Sequence, residues 1–115
     1  MESRETEDEQ WLRPMKAFYL SRSADKLSQL RQAIDAIEKS PRSHGAYRKL
    51  DRLLHNLIGS GGSYGLPEIS DQARHMLQRL KLARDSGGLL TPALMPALRE
   101  DMARLTELFA EAAEE

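Results

Sequence analysis

The sequence predicts an all-α fold: an antiparallel four-helix bundle with a short additional helix at its N-terminus. Three observations predict it. Apolar residues recur at three- and four-residue spacings along most of the chain, the period of an amphipathic helix. Aromatic residues are only 5% of the 115, and β-branched residues are scarce, which disfavours a sheet. The segments between apolar repeats are short, as in bundles whose successive helices run antiparallel. A chain of 115 residues suffices for one domain around one core. Residues 1–8 are read as an acidic flexible leader and residues 9–115 as the bundle.

The first helix is expected over about Glu9 to Arg22, with Trp11, Met15 and Phe18 facing inward. Its regular part should begin near Arg13, because Pro14 is tolerated in a first turn. The second runs from about Ala24 to Lys39, with Ser23 as candidate N-cap and Leu27, Leu30, Ile34 and Ile37 as its seam. Ser40-Pro41 ends it. The third spans about His44 to Ser63, and Gly65 suits a left-handed position just past its end. Pro67 and Glu68 open the fourth, which continues to about Arg84 with Ile69, Ala73, Met76, Leu77 and Leu80 inward. Asp85-Ser86-Gly87-Gly88 signals a turn, and Thr91-Pro92 opens the fifth helix as N-cap and first residue. Its seam is Met95, Leu98, Met102, Leu105 and Phe109.

Composition removes several function classes. A formal net charge of −1 argues against nucleic acid as the main partner, since phosphate-backbone binding wants a basic surplus. The absence of cysteine excludes thiol and disulfide chemistry. No apolar run approaches the roughly 20 residues of a membrane span, and Met1 to Glu9 is acidic rather than signal-like. A soluble cytoplasmic domain, not inserted in a membrane, is the expectation.

The most informative segment is Leu54-His55-Asn56-Leu57-Ile58-Gly59-Ser60-Gly61-Gly62-Ser63-Tyr64-Gly65. Four glycines fall between Gly59 and Gly65, although glycine in a helix costs about 1 kcal/mol relative to alanine. At about 100° per residue, Tyr47, Leu50, Leu53, Leu54, Leu57 and Ile58 share an apolar face. His55 falls on its solvent flank. Arg48, Arg52, His55, Gly59 and Gly62 then line one exposed stripe, with cations on one side of the imidazole and no side chains on the other. Asp51, at i−4, is placed to orient the ring or accept its second N–H. Gly61 is read as easing helix packing. His44 and His75 read as ordinary surface residues, and no metal-ligand spacing joins them to His55.

The pattern His-x-Leu-x-Gly-Ser-x-x-x-x-Gly, carried by His55, Leu57, Gly59, Ser60 and Gly65, resembles the histidine-containing phosphotransfer (HPt) domain of bacterial phosphorelays. The resemblance extends as apolar spacing from about Leu27 to Leu108. In one departure, Ile58 stands where many members carry a lysine thought to steady the phosphoryl group. A family glutamine on the next helix falls at Leu77 by spacing, with Gln78 one residue off, and is not carried over.

The resemblance implies a phosphocarrier rather than an enzyme. His55 would accept a phosphoryl group from the phosphoaspartate of a response-regulator receiver domain and pass it to another receiver, downstream of a sensor or hybrid histidine kinase. The imidazole is a nucleophile in its neutral form. In-line phosphoryl transfer is mostly positioning and charge neutralisation. The resemblance assigns Mg²⁺ and aspartate to the receiver, so no cofactor is expected on this chain. Arg48, Arg52 and Ser60 are the supporting candidates, and Gly59, Gly62 and Asn56 the docking ones. A monomer is expected. The competing reading is a docking module for receivers in which His55 is silent. A sensor-kinase dimerisation helix ranks low, since such motifs place proline where Ser60 stands; a hydrolase ranks lower, for lack of a second catalytic group.

Overall fold

The computed structural model describes residues 7–85 and 93–114, with side chains from residue 12 onward. Five helices are described: α1 (Glu7–Ser21), α2 (Ser23–Lys39), α3 (His44–Ser63), α4 (Pro67–Asp85) and α5 (Leu94–Glu114). The fold is an all-α helical bundle. Helices α2 to α5 enclose the core, each packing on two of the others, while α1 leans across α2 and α5. Polar contacts show the antiparallel order. Asp51 of α3 meets Arg84 at the far end of α4, and Ile58 meets Ser70 at its near end. Arg31 and Arg99 join α2 to α5 with the same reversal.

The core is the set of seams that the spacing implies. Leu27, Leu30, Ile34 and Ile37 of α2, Tyr47, Leu50, Leu54 and Leu57 of α3, and Ile69, Ala73, Met76, Leu77 and Leu80 of α4 are all buried. So are Met95, Leu98, Met102, Leu105 and Phe109 of α5. Leu53 and Ile58 are half-buried at the edge of the α3 seam. Among the described residues one charged side chain is buried in this interior. Asp101 of α5 is buried, and Arg79 of α4 holds it through Nε at 2.7 Å, with Nη2 at 3.5 Å. A carboxylate taken from water needs such a partner. His75 stands against the same pair, with Nε2 3.0 Å from Arg79 Nη2 and 3.6 Å from Asp101 Oδ1.

Local chemistry explains the corners of α3. Ser43 caps its start, the hydroxyl accepting from Ala46 N at 3.2 Å. Its end is a Schellman turn: Leu66 N donates to Gly61 O at 2.7 Å and Gly65 N to Gly62 O at 3.3 Å. The turn needs one residue in the left-handed region, and Gly65 supplies it at φ 71°. The chain then enters α4 at Pro67, whose missing N–H is no loss in a first turn.

The first helix departs from expectation. It starts at Glu7, so Pro14 lies inside it and not in its first turn. Met15 and Phe18 point outward, 45% and 65% exposed, and the buried residue is Tyr19. The period was right and the phase wrong, because Tyr19 has a polar partner as well as an apolar one. Its hydroxyl lies 2.7 Å from Ser60 Oγ, and its ring stacks on Tyr64 at 4.7 Å. Ser23 is likewise the first residue of α2, preceded by Arg22, and no side chain caps that end. The side chain of Trp11, the leader before Glu7, the Ser86-Gly87-Gly88 turn and the Thr91-Pro92 cap lie outside the described residues.

At Gly61 the backbone of α3 comes close against that of α4. A Cβ there would meet Ser70 N at 3.1 Å and Leu66 O and Ser70 Cα at 3.3 Å, all backbone that cannot step aside. At Gly59 and Gly62 a Cβ would meet nothing within 4 Å. Gly61→Ala should therefore destabilise the bundle by about 1 kcal/mol or more, whereas Gly59→Ala and Gly62→Ala should each stabilise it by up to about 1 kcal/mol; urea unfolding of the three variants reads the sign. A second expectation concerns alkali. Burial raises the Tyr19 phenol above its ordinary 10.0; the Ser60 contact partly offsets this and Tyr64 adds to it, and Tyr47 is raised by burial alone. A raised acid contributes fully below its unfolded value and loses that contribution as pH climbs through the folded one. Stability should fall from about pH 10.0 upward. Tyr19→Phe should flatten that fall while costing about 1 kcal/mol at neutral pH through the lost hydroxyl contact.

Candidate functional site

His55 projects from the solvent flank of α3, and its side chain is 64% exposed. It is there because the apolar seam of Leu50, Leu54 and Leu57 turns the opposite side of the helix into the core. One turn further on, Gly59 and Gly62 continue the exposed stripe with no side chain at all. The result is an imidazole at the edge of a bare helical surface, to which another molecule can come as close as the α3 backbone permits.

The other residues on the α3 stripe divide by partner. Arg48 and Arg52 are exposed, and neither has an ion-pair or hydrogen-bond partner among the described residues. Arg52 lies about 4.5 Å and Arg48 about 10.5 Å back along the axis from His55. Asn56 is exposed beside the histidine and also lines a shallow groove between α2 and α3 with Lys26, Leu53 and Ser60. Ser60 is differently placed from its expected supporting role. Its hydroxyl is engaged by Tyr19 at 2.7 Å and lies 3.5 Å from Leu57 O, so it serves to hold α1.

Asp51 stands one turn before His55, as the i−4 spacing anticipates. Its Oδ1 is 3.1 Å from His55 Nε2. The contact is an electrostatic approach and not an aligned hydrogen bond, since Oδ1 is buried and receives no hydrogen bond. Its Oδ2 accepts from Arg84 Nη1 of α4 at 3.0 Å. Arg84 carries no signal in the sequence that links it to His55, because the two are brought together only by the pairing of α3 with α4. Ile58, half-buried, packs its side chain against the core on this same flank. Leu77 is buried and Gln78 exposed, so the core takes the position where spacing places the family glutamine.

No group of three or more metal-ligating side chains occurs among the described residues. None of the helices described is long and apolar enough to cross a membrane.

A family model, the Hpt domain, matches residues 14–108, most of the chain and all of α2, α3 and α4. No curated protein and no solved structure matches. The model takes in the His55 motif, the glycine-rich end of α3 and the seam of α5 as far as Leu108. The chain belongs to the Hpt domain family, the histidine phosphotransfer modules of two-component signalling.

Proposed function

We propose that this protein is a histidine phosphocarrier, taking a phosphoryl group on His55 from the phosphoaspartate of one receiver domain and delivering it to another. The observation that carries the reading is the exposed imidazole beside Gly59 and Gly62, where nothing stands within 4 Å of either missing side chain. Transfer needs the donor's acyl phosphate within bonding reach of a ring nitrogen, and bulk on α3 would hold it away.

The chemistry is a displacement at phosphorus. The lone pair of a ring nitrogen forms the N–P bond while the P–O bond to the partner's aspartate breaks. That oxygen leaves with the electron pair as carboxylate, and the ring's other nitrogen keeps its proton. The phosphoramidate is itself a good donor, so the reaction runs in either direction. Charge neutralisation carries most of the catalysis. On this reading Mg²⁺ and the aspartate belong to the receiver, and this chain brings no cofactor of its own. The free guanidinium groups of Arg48 and Arg52 meet the partner's acidic pocket, and Asn56, Gly59 and Gly62 form the surface on which it settles. The protein works as a monomer in the cytoplasm, served by a sensor or hybrid kinase.

Incubation with a phosphorylated receiver tests the proposal. Wild-type protein should acquire acid-labile, alkali-stable label, and His55→Gln should acquire none. Receiver binding without label on the wild type would instead establish the docking-only reading. Gly59→Leu should keep the fold, since its site is open, yet lower the transfer rate at least about tenfold by holding the partner off. Arg52→Ala should slow transfer more than Arg48→Ala, because it lies nearer the ring.

A further inference from the structure

The described surface offers uncommitted cations, two shallow grooves, an outward apolar edge on α1 and two clusters that join histidine, aspartate and arginine. The cluster at Asp101 pins α4 to α5 and is a packing device. The one at Asp51 touches the proposed phosphorylation site and has a chemical consequence.

Three facts define it. Arg84 Nη1 is 3.0 Å from Asp51 Oδ2, and Asp51 Oδ1 is 3.1 Å from His55 Nε2. Arg84 has no other partner among the described residues, so most of its donors are unused. The family's common lysine position is Ile58 here, whose side chain packs toward the core. The flank of His55 that faces α4 therefore has a cation one carboxylate away, and it comes from the neighbouring helix.

We propose that Arg84 is the phosphoryl-binding cation of this site, and that Asp51 occupies the place of the phosphoryl group while His55 is unmodified. The proposal rests on His55 as the phosphoacceptor. The lone pair of Nε2, in the ring form protonated on Nδ1, attacks phosphorus. The N–P bond forms, the P–O bond to the donor breaks, and the donor leaves as carboxylate. The phosphoryl oxygens then stand on the side of the ring that now looks at Asp51 Oδ1. Two anions cannot share that spot without a cost, and the carboxylate turns away. The guanidinium keeps its position and exchanges a carboxylate for two of the three oxygens of a tetrahedral phosphoryl group, a pairing that its fork of N–H donors also makes. Before phosphorylation Asp51 holds the cation in readiness; afterwards Arg84 offsets the charge that Ile58 cannot.

The test needs no relay partner. Phosphoramidate phosphorylates exposed histidines directly, and ³¹P NMR then follows the phosphohistidine through a pH titration. His55→Gln identifies its resonance against His44 and His75. A nearby guanidinium favours the dianion, so Arg84→Gln should raise the titration midpoint of the phosphoryl group by about one pH unit. Asp51→Asn should move it the other way, because a like charge is gone. Arg84→Lys should recover part of the shift. The Arg84 side-chain resonances should also move on phosphorylation. A purely structural clamp predicts that Arg84→Gln and Asp51→Asn act alike. That result, a midpoint unmoved in Arg84→Gln, or a His55 that phosphoramidate does not modify overturns the proposal. The carrier function stands or falls separately, on label passed from a receiver.

Discussion

The close approach of α3 to α4 at Gly61 is the constraint on which the site depends. With no Cβ in the way, the first turn of α4 lies against the last turns of α3, and Ser70 Oγ donates to the Ile58 carbonyl at 2.8 Å. This sets the rotation of α3. Leu54 and Leu57 go inward, and His55 is left on the outer wall. It also sets the register at the other end of the pair, where Arg84 arrives beside Asp51. A bulkier residue at position 61 would push the helices apart and change both.

Three of the glycines in the motif therefore answer different physical demands, and the fourth repeats one of them. Gly61 is buried and serves packing. Gly65 supplies the left-handed residue that closes the turn into α4. Gly59 and Gly62 serve neither purpose: among the described residues nothing fills the space they leave. Glycine in an exposed helix weakens it, and on the proposed reading two such positions beside an exposed histidine are a surface kept clear for another molecule. The bundle tolerates the weakness because α3 is held elsewhere by a continuous buried seam and by a capped N-terminus.

Charge is distributed with a similar division. Arg79, Arg99 and Arg104 are committed to carboxylates and hold helices or decorate their faces. Arg48 and Arg52 have no such partner among the described residues, and they lie on the stripe that leads to His55. Arg84 stands between these cases, paired through one nitrogen with a carboxylate that itself approaches the histidine. The α1 helix adds a different kind of link. Tyr19 ties it to Ser60 and Tyr64 at the end of α3, so a hydroxyl within the motif is spent on architecture.

Periodicity alone was enough for the class of fold, the seams of α2 to α5 and the outward direction of His55, because each depends on residues a few positions apart on one helix. The motif spacing likewise placed Asp51 beside the ring and marked Gly61 as a packing position. Where a residue's partner lay on another helix, the sequence was silent or misleading. Met15 and Phe18 have the spacing of a core face, yet Tyr19 is buried because a serine and a second tyrosine wait for it across the bundle. Ser60 matched the family pattern, but its hydroxyl was already engaged from α1. Arg84 is 29 residues from His55 and came to its flank only through the pairing of α3 with α4. Helical period is a local property of the chain and can be read from it; which faces meet, and at what register, is decided by how four helices fill one interior.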